Sequence, residues 1–243
     1  MLATILAAFA GCLRLERLAP GWRVPAVRTW PLRLVALNAA QLGVVVAAGF
    51  TWEIWCQGDS LFGMSEALPA GAAGLAAYFV ATFVFYGGHR WRHEVVWLWR
   101  HFRQIHHSPQ RLEVVTSFHK HPLEMVANSL LGSVLVYPVL GLTAEAGALY
   151  ALCTALGELF NDTNCRMPHR VGYVFQRPEM HRIHHVHGRH RDDHGDIVSW
   201  DMLSGTWRNP RTWDGARGFT PEREERLTDM LRFRDVHREA GAP

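Results

Sequence analysis

Two long stretches of this chain, Leu34 to Tyr86 and Pro122 to Cys165, contain no lysine or arginine, and no other feature narrows the available folds as much. All 25 basic residues fall into three windows: five between Arg14 and Arg33, six between Arg90 and Lys120, and fourteen between Arg166 and Arg238. A random scatter would not leave such gaps. A bilayer would, because a charged side chain near its centre costs about 3 kcal/mol or more. A span needs about 20 apolar residues, and the gaps offer four candidates: Leu34 to Phe50, Ala70 to Tyr86, Leu123 to Leu142 and Ala146 to Phe160. Only the residues around Thr143 to Glu145 separate the last two, which predicts a tight helical hairpin.

The expected architecture is therefore all-α and integral to a membrane, with about four transmembrane helices in one domain over 1–243. Residues 34–86 and 123–160 form the membrane helices, and 87–122 and 161–243 a helical cap. The loop from Thr51 to Pro69 carries Glu53, Asp59 and Glu66 and no basic residue. Four spans place all three basic windows on the opposite side, and the positive-inside rule makes that side cytoplasmic. This predicts a multi-pass protein, in a bacterial inner membrane, with both termini in the cytoplasm. Trp30, Trp52 and Trp55 sit near span ends, where indole rings favour the interface. Met1 to Leu13 is apolar without a preceding basic stretch, so it reads as a short or interfacial helix rather than a cleaved signal. From Thr220, a cap residue followed by Pro221 predicts a soluble helix packed through Leu227, Met230 and Leu231. The four cysteines show no paired C-x-x-C spacing, so no zinc knuckle or disulfide framework is expected. A formal charge of +3 gives no reason to expect a nucleic-acid partner.

The 15 histidines carry the chemistry. Fourteen lie between His89 and His194, none inside an expected span, so all fall on one membrane face. His89 and His93 share a helical face at i, i+4. His106 and His107 are adjacent, with His101 just before. His181, His184 and His185 again share a face. Clustered cationic histidines would repel one another, whereas neutral imidazoles around a metal satisfy all of them. Imidazole suits Zn, Cu, Fe and Ni. Seven or more candidate ligands exceed one zinc site and suit two metals. His187 and His190 read as solvated loop residues and His237 as surface.

The order of motifs resembles the fatty acid hydroxylase / sterol desaturase superfamily of integral-membrane, histidine-box di-iron enzymes. The run is His89-Arg90-x-x-His93-Glu94-Val95, then Leu98-Trp99, then Ile105-His106-His107-Ser108 and His121-Pro122-Leu123-Glu124. Phe160-Asn161-x-x-Asn164 follows, then Pro178-Glu179-Met180-His181-Arg182-Ile183-His184-His185, and finally Trp200-Asp201-x-x-Ser204-Gly205-Thr206-Trp207. The resemblance covers about half the chain. It implies two non-haem irons held by His89, His93, His106, His107, His181, His184 and His185. His121, Asn164, Trp200 and Asp201 are implied to orient those ligands or brace the fold around them. Two ligand positions depart from the pattern, as do the family's N-Y-G element, which reads Asp193-His194-Gly195, and its phenylalanine before Gly205-Thr206, which is Ser204. The first histidine of the second box falls on Arg103, with His101 as a substitute if the helix shifts. The isolated histidine of the fourth motif falls on Asp162, a carboxylate that is itself a competent iron ligand.

The implied activity is O₂-dependent hydroxylation, or desaturation, of an aliphatic carbon in a fatty acyl, sterol or related membrane lipid. The absence of a G-x-G-x-x-G motif predicts that electrons arrive from a separate ferredoxin, cytochrome or reductase. Two other readings stay open: a membrane metalloprotein that uses zinc and no O₂, and an inactive descendant that has lost a metal through Arg103 and Asp162.

Overall fold

In a computed structural model, described here for Leu2–Val186, Gly188–Arg189 and Arg191–His237, the chain is helical throughout, with no strand among the described residues and one isolated antiparallel bridge between Phe175 and Ile197. His187 and His190 lie outside the described residues. The long elements are α1 (Leu2–Leu18), α2 (Trp30–Phe50), α3 (Ala70–Glu94), α4 (Pro122–Val134) and α5 (Ala144–Asp162). Two short helices, α6 (Pro178–His184) and α7 (Ser199–Ser204), follow.

Among the described residues, three segments are long and apolar enough to cross a membrane: Trp30–Trp55, Ala70–Glu94 and Pro122–Val139. The fourth expected span forms as α5, but Glu145 and Glu158 leave it short of that standard. In the most apolar window of Trp30–Trp55 only 17% of residues are buried within the protein. Leu32, Val35, Leu42 and Phe50 all point outward, each more than 60% exposed.

The expected hairpin between the last two helices is corrected by the packing. Thr143 caps α5 by accepting from Ala146 N at 3.4 Å, so the link is tight. Yet α5 packs mainly on α3, and α4 mainly on α2. The cause lies on α3, where Ala73, Ala77 and Ala81 recur at every fourth position and are almost wholly buried. Between them Gly74 lies so close to α5 that a Cβ there would meet Ala146 O at 2.7 Å. Small side chains let the two backbones approach, and close approach rather than sequence adjacency selects the partner. At its C-terminal end α4 widens into a π-helical turn, Leu135–Val139, around Pro138, which lacks the N–H an α-helix needs.

The ends of the chain bind the bundle to its histidine-bearing end. Arg33 of α2 is buried and bonds Glu224 twice, Nη1 to the carbonyl at 2.6 Å and Nη2 to Oε1 at 2.7 Å. The expected helix from Thr220 is two short helices, Pro221–Glu224 and Leu227–Leu231, broken where Arg226 leaves helical geometry (ψ 39°). Met230 is buried there and Leu227 packs beside it, while Leu231 stays partly exposed. Trp30 is buried against His119, with ring centroids 5.1 Å apart, whereas Trp55 is 75% exposed.

Candidate metal centre

Helix periodicity builds the first half of the site. α3 continues two turns past Tyr86, carrying His89 and His93 on one face, their Nε2 atoms 3.1 Å apart. α6 begins on Pro178, suited to a first turn because its missing N–H would find no helical partner. It presents His181 and His184, with His185 at its C-cap. The short helix Gln104–His107 supplies His106 and His107, and the C-terminal end of α5 supplies Asp162.

These eight residues sort into two groups of four: His89, His93, His107 and His184 in one, and His106, Asp162, His181 and His185 in the other. Within each group one ligand atom from every residue lies within 4.8 Å of the others. The groups are contiguous. Each adjacent histidine pair is split, one member to each group, and the His107 and His185 rings stack at 4.1 Å with a 13° tilt.

Backbone carbonyls set the tautomers that a metal requires. His89 Nδ1 donates to the carbonyl of His194 at 2.8 Å, and His184 Nδ1 to that of Asp192 at 2.8 Å. Their Nε2 lone pairs are thereby turned into the first group, and His184 Nε2 is buried with no hydrogen-bond partner. Burial pushes the His106 and His184 imidazoles well below their usual range, so both are neutral and able to ligate at pH 7. In the second group His181 Nε2 and His185 Nε2 face each other at 3.0 Å, and Asp162 Oδ1 lies 3.3 Å from His181 Nε2. Imidazoles converging on a carboxylate are a fitting donor set for a divalent transition metal.

His101 lies outside both groups. The chain widens into a π-helical turn over Trp99–Arg103, so the helix does shift, but the shift turns Arg103 inward instead. His101 stacks between Trp97 and Phe233, at 4.2 and 4.3 Å, and its Nδ1 contacts Trp97 O at 2.7 Å. Arg103 is buried, with Nη2 donating to His89 Nε2 at 2.7 Å and Nη1 to Glu124 Oε1 at 2.9 Å.

The supporting residues divide. Asp201 accepts from the backbone N–H groups of His194 and Gly195, each at 2.9 Å, and so holds the carbonyl that holds His89. Asn164 accepts from Arg182 at 2.8 Å, beside His181, and donates to Trp22 O at 3.0 Å. Trp200 donates to Thr82 Oγ1 at 2.9 Å between Phe79 and Phe83, bracing α7 on α3. His121 caps α4, its Nδ1 accepting from Leu123 N at 3.0 Å, and touches neither group. The supporting carbonyls of Asp192 and His194 are not legible in the sequence, because a carbonyl is present at every residue and leaves no compositional trace. Asp193-His194-Gly195, which stands where the family has N-Y-G, is the one signal in the sequence.

The fatty acid hydroxylase family model matches residues 74–206, more than half of the chain and every one of the eight grouped residues. Among curated proteins, the chain is similar to ornithine lipid hydroxylase OlsE of Rhizobium tropici, 34% identical over 137 residues. The match covers 54% of this chain and 40% of that protein. No solved structure matched. With the motifs, the convergent histidines and the matched region in agreement, the chain belongs to the fatty acid hydroxylase family.

Proposed function

We propose that this protein is a membrane-embedded, O₂-dependent monooxygenase that hydroxylates an aliphatic carbon of a membrane lipid, with the two four-residue groups each holding an iron ion. The observation that carries the reading is the pair of contiguous groups at the end of helices apolar enough for a bilayer. Iron held by these residues would supply the oxidising chemistry, the insertion of one oxygen atom of O₂ into a C–H bond with the other released as water at the expense of two electrons and two protons. The chain's own residues do the rest. The carbonyls of His194 and Asp192 aim two imidazoles inward. Asp162 contributes a negative charge that offsets a divalent ion. Near-complete burial of His107, His184 and His185 keeps bulk water from the centre. Lipid enters from the bilayer, and electrons come from a separate ferredoxin, cytochrome or reductase. The similarity to an ornithine lipid hydroxylase supports a polar acyl lipid as substrate class and hydroxylation over desaturation. The three basic windows support a multi-pass topology with the histidine end in the cytoplasm of a bacterial cell.

Elemental analysis of detergent-purified protein from iron-replete cells is expected to find two irons per chain. Lipid mass spectrometry of expressing cells is expected to find a species heavier by one oxygen. His184→Ala is expected to lose most of the iron and to lower formation of that species by about a hundredfold or more. Zinc in place of iron, or an oxygenated lipid that persists with His184→Ala, would overturn the proposal.

A further inference from the structure

The two groups differ in fixed charge. The second contains a carboxylate, Asp162, whereas the first contains none and is entered by a guanidinium. Arg103 Nη2 donates to His89 Nε2 at 2.7 Å, onto the lone pair that the His194 carbonyl has turned inward. The same nitrogen lies 3.4 Å from His107 Nε2, so it faces two of the four histidines of that group. Arg103 is not loosely placed: it is 5% exposed and tied to Glu124, which also takes Arg92 Nη1 at 3.4 Å. A metal ion that engages His89 must displace one hydrogen bond and sit close to a buried positive charge, where low dielectric strengthens the repulsion. At the second group the buried charge has the opposite sign and is itself a hard oxygen donor.

We propose that the two centres load in a fixed order, the Asp162 group first and the Arg103 group second, with Arg103 as the positioning residue that sets the affinity of the second step. The inference rests on the reading of both groups as metal centres. Glu124 holds the guanidinium and draws it off the histidines as the second ion enters. The protein thereby passes through a one-metal form, and only cells with enough metal complete it.

The test is an anaerobic Co²⁺ titration of the full, chelator-stripped chain in detergent, followed by visible absorption and by metal analysis after dialysis. The wild type is expected to take one equivalent at least about tenfold more tightly than the second. Arg103→Met should tighten the second step by about tenfold and merge the two, while Arg103→Lys, which keeps the charge, should leave them separate. Asp162→Asn should weaken the first step. If Arg103→Met does not fold, Glu124→Gln serves instead: leaving Arg103 without its anion should weaken the second step. Two equal steps in the wild type, or a second step unmoved by either substitution, would overturn this inference alone. No Co²⁺ bound by any variant would overturn the two-centre reading as well.

Discussion

The bundle and its histidine end are built on opposite rules. Along Trp30–Trp55 and the outer face of α3, leucine, valine and phenylalanine point outward and little is buried. At the histidine end the fully buried side chains include Arg177, Arg182, His107, His119, His184 and His185. One region turns its apolar residues to the solvent and the other turns its polar residues to the interior. The difference teaches where stability comes from. Outward apolar side chains are favourable when the solvent is lipid, so the bundle needs only small residues for close packing, as on α3. Buried polar groups are favourable only when each is satisfied, so the histidine end depends on partners.

Three substitutions sharpen this contrast. The largest effect is expected where the regions meet. Glu224→Ala leaves Arg33 buried without its anion and should lower stability by about 3–5 kcal/mol, read as a lower thermal midpoint in detergent. A midpoint unchanged by the substitution would mean that the C-terminal helices are not needed to hold α2. Next is Leu42→Arg, on the outward face of α2. It should cost about 3 kcal/mol in a bilayer and reduce the membrane-inserted fraction. Normal insertion would show that this face does not meet lipid.

The smallest effect has the opposite sign. Asp193 is buried with a left-handed backbone (φ 54°), and burial pushes its carboxyl up to about 9. A carboxyl raised on folding contributes stability that is complete below about pH 4 and lost as pH rises toward 9. Asp193→Asn keeps a residue that tolerates this conformation and removes the need for the folded chain to bind a proton there at neutral pH. It should stabilise by about 1–2 kcal/mol at neutral pH, with the advantage over wild type vanishing near pH 4. An equal gain at both values would show that proton binding by Asp193 is not the cause.

What the sequence made legible follows the range of the signals. The convergence of His89 with His93, and of His181 with His184 and His185, was visible because each lies within one or two turns of a helix. The displacement of His101 was not, because a π-helical turn over Trp99–Arg103 depends on packing between segments and changes which residue faces inward. Charge segregation exposed the apolar helices, yet it did not predict which would pair. The partner of α5 was decided by Gly74 and three alanines that in sequence look like ordinary span residues. Asp162 was the harder case. It stands where the family has a histidine, at the last residue of α5, and the structure places it beside His181 at the second group.

The division of each adjacent histidine pair between the two groups has a consequence for how this protein can change over generations. Because neighbouring codons serve different groups, one inserted or deleted residue at His106-His107 or His184-His185 would disturb both groups together. Neither group can lose the segment around either pair while the other group is kept. Variation near the two pairs is therefore confined to substitution in place, and Arg103 and Asp162 both stand at full register with the boxes around them.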